Sequence, residues 1–215
     1  MAYRVLITAG PTREYIDPVR FITNRSSGRM GAALAAAARD AGLETVLVCG
    51  PVSIELPSGI EIIRVETAAE MASAVHRWAP ESDLVIMAAA VADYRPVATL
   101  DHKMKKLPGK LVLELERTED ILGTLGSCRR PGQTLVGFAA ETENLLTNAA
   151  GKLERKHLDW IAANLVADGF GSDTDTIELL GRGGEHFTLG PAPKSEVAAQ
   201  LLSIVLGKKA EAKVI

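Results

Sequence analysis

Short, continuously apolar runs alternate with Ala-rich or amphipathic segments along most of this chain, and that alternation narrows the fold more than any other feature. "YRVLITAG" is followed by "GAALAAAARDAG", "ETVLVCG", "GIEIIRVET", "AAEMASAVHRWA" and "DLVIMAAA". After an interruption the rhythm resumes with "TLVGFAAE", "TENLLTNAAGKLERKH" and "DWIAANLV". Strands without polar alternation are buried on both faces, and helices between them supply the crossovers of a parallel sheet. The expected fold is therefore α/β, a doubly wound, mostly parallel Rossmann-like sheet. At 215 residues the chain suits a single domain, 1–215, with ample core.

Two stretches break the rhythm. From about residue 90 to 110 the chain is polar and Lys-rich, and "LVLELER" then alternates like a strand. We read about 90–116 as a flap insertion, because long loops in compact domains usually serve function. Further on, "TIELLGRGGEHFTLG" is a C-terminal hairpin turning at Gly183-Gly184, before an amphipathic last helix "KSEVAAQLLSIVLG" and a fraying "KKAEAKVI".

Composition removes several function classes. A net charge of -3 argues against nonspecific nucleic-acid binding, and 4% aromatic residues leave little for base stacking. No apolar run approaches the ~20 residues of a membrane span. "MAYRVLITAG" reads as a strand, without the pattern of a secretory signal. Cys49 and Cys128 form no disulfide or zinc pattern, and the four His have no ligand spacing. A cytoplasmic protein without structural metal, nucleic-acid partner or membrane partner is expected.

In open parallel sheets ligands bind beyond the carboxyl ends of the strands, and the unusual stretches fall at such ends. "NRSSGRMG" admits two readings. Gly28 and Gly31 let backbone N–H groups approach an anion beside Ser26 and a helix N-terminus, or Ser27 is simply an N-cap. Neither G-x-G-x-x-G nor a Walker loop is present. In "VRFITN", Arg20 suits bidentate grip of a carboxylate or phosphate and Asn24 can donate to developing negative charge; a solvated Arg and a turn Asn are the plainer reading. "MAAAVADYRP" ends a strand in small residues and then Asp93. "HKMKK" and the i, i+4 lysines of "GKLERKH" suit phosphate neutralisation or mere solvation.

Taken in order, "ITAGPTRE", "IDPVRFITNRSSGRMG", "AAAVADYRP", "KMKK", "VGFAAET", "KLERKHLDWIAAN" and "GFGSD" resemble the phosphopantothenoylcysteine synthetase family over Val5 to about Asp173. The resemblance implies a ligase of coenzyme A biosynthesis. Its bacterial form activates the carboxylate of 4'-phosphopantothenate with CTP and Mg²⁺, giving an acyl-cytidylate, which the amine of L-cysteine then attacks. No flavin is expected in this chain. The resemblance also implies a homodimer, and a phosphopantothenoylcysteine decarboxylase as partner, fused or separate.

Residue by residue, the resemblance makes Asn24 and Lys103 catalytic, Lys103 closing on the flap over the intermediate. Arg20, Ala89, Ala90 and Asp93 become substrate-binding, Arg20 across a dimer interface. Nucleotide contacts fall on Gly10, Ser26, Gly28, Gly31, Asp93, Lys103, Glu119, Asp120, Ile121, Leu122, Phe138, Lys152, Lys156 and Asn164. "TEDIL" stands where the family usually has Asn-Pro-Asp-Ile. Two other classes share the strand-end site. A short-chain reductase needs Tyr-x-x-x-Lys, which none of Tyr3, Tyr15 or Tyr94 supplies; a non-catalytic nucleotide-binding module would leave Arg20, Asn24 and the lysine flap unexplained.

Overall fold

The computed structural model describes residues 3–106, 108–165 and 172–207. In chain order it runs β1 (Arg4–Ala9), β2 (Arg13–Asp17), β3 (Arg20–Thr23), α1 (Arg29–Asp40), β4 (Glu44–Cys49), β5 (Glu61–Arg64), α2 (Ala68–Trp78), β6 (Leu84–Met87), β7 (Tyr94–Pro96) and β8 (Leu115–Arg117). There follow α3 (Ile121–Cys128), β9 (Thr134–Glu141), α4 (Leu145–Arg155), β10 (Trp160–Leu165), β11 (Thr174–Gly181), β12 (His186–Pro193) and a last helix, α5 (Lys194–Val205). The tail "KKAEAKVI" lies outside the described residues.

An eight-stranded sheet is ordered β12-β11-β10-β9-β6-β1-β4-β5. From β10 to β5 all neighbours pair parallel, while β11 and β12 add antiparallel at one edge. The doubly wound, mostly parallel sheet and the C-terminal hairpin are as the sequence implied. Successive strand residues face opposite layers. Leu6, Val46, Val48, Val85, Leu135 and Ile161 pack with Met71, Val75, Leu125 and Leu153 of α2, α3 and α4. Val5, Ile7, Leu47, Ile86 and Val136 pack with Leu34, Ala38, Val197 and Leu201 of α1 and α5. Fully buried strands require helices on both sides, and the Ala-rich face of α1 lets it lie close to the sheet.

Three elements were not marked by the apolar rhythm or fall short of it. The stretch before "NRSSGRMG" is a hairpin of β2 and β3; its buried positions include Glu14 and Asp17, so no apolar alternation announces it. "LVLELER" forms only the three-residue β8, paired with β7, and Leu111, Val112 and Leu113 are exposed. Helix α3 carries Gly123 and Gly126 but is started by Asp120, whose side chain accepts from the Gly123 N–H at 3.0 Å.

Winding reverses between β1 and β6. From β1 the chain crosses to β4 and β5; from β6 it crosses to β9 and β10. That switch leaves a crevice beyond the carboxyl ends of β1 and β6.

Candidate active site

The crevice is an open cleft of about 780 Å³. Its first wall is the entry to α1. Gly28, not Ser27, is the N-cap, and its φ of 75° explains the glycine there. Ser26 Oγ accepts from the Gly28 N–H at 3.3 Å. No side chain caps the helix, and no acidic residue stands in its first turn. The early N–H groups and the positive end of the helix dipole therefore face the cleft, a site suited to an anion. Gly31 has a packing reason as well: a Cβ there would lie 2.5 Å from Ala9 Cβ and 2.8 Å from Thr8 O.

The end of β6 is the floor. Threonines fasten it: Thr8 Oγ1 accepts from Ala89 N at 3.1 Å and Thr12 Oγ1 from Ala92 N at 3.0 Å. Asn24 closes one end, its Nδ2 donating to Val91 O at 3.0 Å and Ala90 O at 3.4 Å. The small side chains of Ala88, Ala89 and Ala90 leave the space open, and Asp93 stands exposed at the rim.

The cations stand opposite. Lys152 on α4 and Lys156, one turn on at the C-cap of that helix, both line the cleft. Lys152 Nζ donates to Phe138 O at 2.7 Å, and Lys156 pairs with Asp120. Burial pushes the Lys152 ammonium below the usual lysine range, against the opposing pull of Glu141 and Asp93. Lys156 is lowered for the same reason, with Asp93 again opposing. These two partly desolvated ammonium groups and the uncapped start of α1 line the same cleft. Glu119 is turned away to His76, Oε1 to Nε2 at 2.6 Å.

Fifteen sequence-chosen residues line this one cleft: Asn24, Ser26, Gly28, Gly31, Ala89, Ala90, Asp93, Glu119, Asp120, Ile121, Leu122, Phe138, Lys152, Lys156 and Asn164. Three do not. Gly10 lies behind the cradle, where a Cβ on Gly28 would sit 3.3 Å from Gly10 Cα. Arg20 is on β3, its guanidinium 3.1 Å from Asp17 Oδ2 and donating to Met104 O at 2.6 Å. Lys103 is exposed on the flap, outside the lining. Sequence reasoning missed Asp175 and Lys194, which complete the far end beside Asn164. A signal existed: Asp175 is in phase with the buried Ile177 and Leu179 of β11, and a buried acid demands a partner.

A family model described as the DNA/pantothenate metabolism flavoprotein C-terminal domain matches residues 1–208. The chain belongs to this family. It is 48% identical over 202 residues to the coenzyme A biosynthesis bifunctional protein CoaBC of Bacillus subtilis, covering 92% of this chain and 50% of that protein. A protein named cysteine/cysteine sulfinic acid decarboxylase, from an unknown prokaryotic organism, is 47% identical over 207 residues, covering 94% of this chain and 58% of its own length. The chain thus spans about half the length of these relatives. The crystal structure of the C-terminal domain of a CoaBC protein superposes with a TM-score of 0.82 at 44% identity, covering 95% of both chains. The family resemblance read from the sequence is borne out.

Among the described residues no three His, Cys, Asp or Glu side chains cluster as a metal site, and no helix is long and apolar enough to cross a membrane.

Proposed function

We propose that this chain is a phosphopantothenate–cysteine ligase acting through an acyl-cytidylate. The observation that carries the reading is one cleft joining an uncapped glycine-rich helix start, two desolvated lysines and a small-residue strand end closed by Asn24. Relatives named for coenzyme A biosynthesis support it.

On this reading the carboxylate of 4'-phosphopantothenate attacks the α-phosphorus of CTP and pyrophosphate leaves. The cysteine amine then attacks the acyl carbon, CMP departs with the bonding electrons, and the amine loses a proton. A free carboxylate resists amine attack; the mixed anhydride does not. The Gly28–Gly31 backbone and Ser26 hold phosphate oxygens, and Lys152 and Lys156 offset their charge. Asn24 donates to the reacting carboxylate and its acyl-phosphate. Two of its N–H contacts are to backbone carbonyls, and the longer, to Ala90, is the one a substrate oxygen would replace.

Mg²⁺ fits as an ion carried on the phosphates. Asp120 is committed to Lys156 and Glu119 to His76, whereas Asp93 makes no side-chain hydrogen bond among the described residues and would hold the ion. Bound there, Mg²⁺ would offset triphosphate charge, with water and phosphate supplying most ligands.

A homodimer belongs to the same proposal. Arg20 does not line its own cleft, which supports a role in a neighbour's site. Exposed Val19, Phe21, Val97, Leu111 and Val112 on the hairpin and flap supply an apolar surface for a second copy. A phosphopantothenoylcysteine decarboxylase, fused or separate, would take the product. The deciding test is pyrophosphate release with CTP and ATP in parallel, with and without phosphopantothenate and cysteine. Release that requires phosphopantothenate and prefers CTP supports the proposal; release indifferent to phosphopantothenate rejects it.

A further inference from the structure

Beside the cleft lies a second hollow of about 300 Å³. Ala69, Ala72 and His76 line it from one face of α2, three and seven residues apart as helical spacing requires. Arg117, Thr118 and Glu119 line it from β8 and the residues after it, and they line the cleft as well. The two spaces therefore share a three-residue wall. Thr118 fastens that wall to the floor of the cleft: its Oγ1 donates to Ala92 O at 2.5 Å and its N–H to Asp93 O at 3.0 Å.

The charges around this hollow are unequally partnered. Arg95 spends its guanidinium on Glu116, Nε and Nη2 both reaching Oε1 at 2.8 Å. Glu119 Oε1 meets His76 Nε2 at 2.6 Å, and Oε2 is left to accept from elsewhere. Arg117 and Glu119 stand two residues apart, yet neither takes the other as a partner. The Arg117 guanidinium makes no side-chain hydrogen bond or ion pair among the described residues. One wall thus carries an unspent guanidinium and a half-spent carboxylate, and small alanine side chains line the same hollow. A small α-amino acid has the three groups that complement them: a carboxylate, an ammonium and a short side chain.

We propose that this side hollow is the subsite of the amino-acid co-substrate. Arg117 takes the α-carboxylate of L-cysteine, Glu119 Oε2 takes its ammonium, and Ala69 and Ala72 leave room for the CH₂–SH. The inference rests on the ligase reading and adds where the second substrate is held. The nucleophile then stands across Thr118 from the strand end assigned to the acyl group. Its carboxylate is also kept apart from the nucleotide phosphates, which would repel it.

Rapid quench on the full chain tests this. CTP and phosphopantothenate are mixed first to form the acyl-cytidylate, and amide formation is then followed against amine concentration. L-Cysteine is compared with cysteamine, which lacks the carboxylate, on wild type, Arg117→Gln, Arg117→Lys and Ala69→Leu. Pyrophosphate release before amine is added is read on each protein. Residues 69 and 117 are exposed, so the substitutions should leave the fold intact. A hydrogen-bonded charge pair changes affinity by roughly 10–100-fold, so wild type should half-saturate with cysteine at that much lower concentration than with cysteamine. Arg117→Gln should bring cysteine up to the cysteamine value, and Arg117→Lys should recover part of the difference. Ala69→Leu, which fills the hollow, should raise the half-saturating concentration of both amines. An unchanged cysteine value in Arg117→Gln, or equal values for the two amines in wild type, overturns the inference. So does pyrophosphate release that falls with Arg117→Gln, because Arg117 would then serve the first two substrates. These outcomes sink the inference alone. Wild type that releases no pyrophosphate in response to phosphopantothenate sinks the ligase reading, and the inference with it.

Discussion

Lys152 shows how a single buried cation can be tuned for an anion. Burial holds its ammonium below the ordinary lysine value, so in the empty protein the charged form is disfavoured. The sign follows from that. The lysine costs stability at pH below its folded value, and the cost is relieved as pH rises through it. A bound phosphate favours the charged form, so nucleotide affinity should fall as pH rises through the same window while stability of the empty protein increases. Nucleotide binding and urea melts across alkaline pH measure both trends, and Lys152→Gln should flatten them; parallel curves for variant and wild type would refute the assignment. Asn24 is the second test. Its amide faces backbone carbonyls, so Asn24→Asp sets a carboxylate against them and against anionic substrates. Because Asn24 is exposed, stability should change by no more than about 1 kcal/mol, whereas acyl-cytidylate formation should drop by roughly 10²–10³. Pyrophosphate release at the wild-type rate would remove Asn24 from the chemistry. These residues were legible because their types and order are unusual. Asp175 was not, since only the phase of β11 against the core reveals that it is buried, and Lys194, at the start of α5, is drawn in by pairing with it.

Among the elements, the strands of the parallel sheet announced themselves through unbroken apolar runs and the flap through its polar, Lys-rich break in them, but the β2–β3 hairpin did not, nor did its tie to the flap. One buried carboxylate joins the two. Asp17 Oδ1 accepts from the Val19 and Arg20 N–H groups at 2.8 and 2.9 Å, and Oδ2 from the Met104 N–H at 3.1 Å. Met104 O takes the Arg20 guanidinium, so the flap is clamped at both polar groups of the residue next to Lys103. Removal from water pushes the Asp17 carboxyl up, but the Val19, Met104 and Arg20 N–H groups and the Arg20 charge outweigh that and hold it below its ordinary value. A depressed carboxyl contributes stability that is present above its unfolded pKa and lost as pH falls through the folded one. Asp17→Asn should therefore lower stability at neutral pH and lessen the loss on acidification, followed by urea melts from neutral to acid pH. It should also misplace Lys103. In rapid quench with labelled CTP, both Asp17→Asn and Lys103→Gln should make the acyl-cytidylate yet pass it to cysteine about 10–100-fold more slowly, a usual penalty for lost positioning. Wild-type rates in both half-reactions for Lys103→Gln would leave "HKMKK" as solvated surface.

At the scale of the whole molecule, the cleft sits where the winding reverses, between β1 and β6, and helices on both faces hold its walls in place. That the site lies beyond the carboxyl ends of the strands was legible, because the unusual loops all follow strands; the reversal between β1 and β6 comes only with the strand order. What one chain does not bring together is Arg20 with its cleft. Its element carries a second clue: Leu100 N donates to Ile16 O at 3.0 Å and Thr99 Oγ1 to Tyr15 O at 2.9 Å, tying the flap to the hairpin. The two elements thus form one extension whose exposed apolar side chains, Val112 at 85% and Leu111 at 61%, have no core of their own. If a second copy covers that extension, Arg20 arrives at the neighbour's substrate and each site takes residues from two chains. Arg20→Ala and Asn24→Asp should then be inactive separately but active when mixed. A mixed dimer has one site in which the wild-type Asn24 of one chain meets the wild-type Arg20 of the other; the remaining site carries both lesions. Random exchange puts half of the dimers in the mixed form, each with one intact site of two, so recovered activity should approach about a quarter of wild type if the sites act independently. Sedimentation checks that the chains are dimeric, and labelled subunits verify exchange before activity is read. Exchange without recovery would show that Arg20 serves its own chain, as the clamp on Met104 alone.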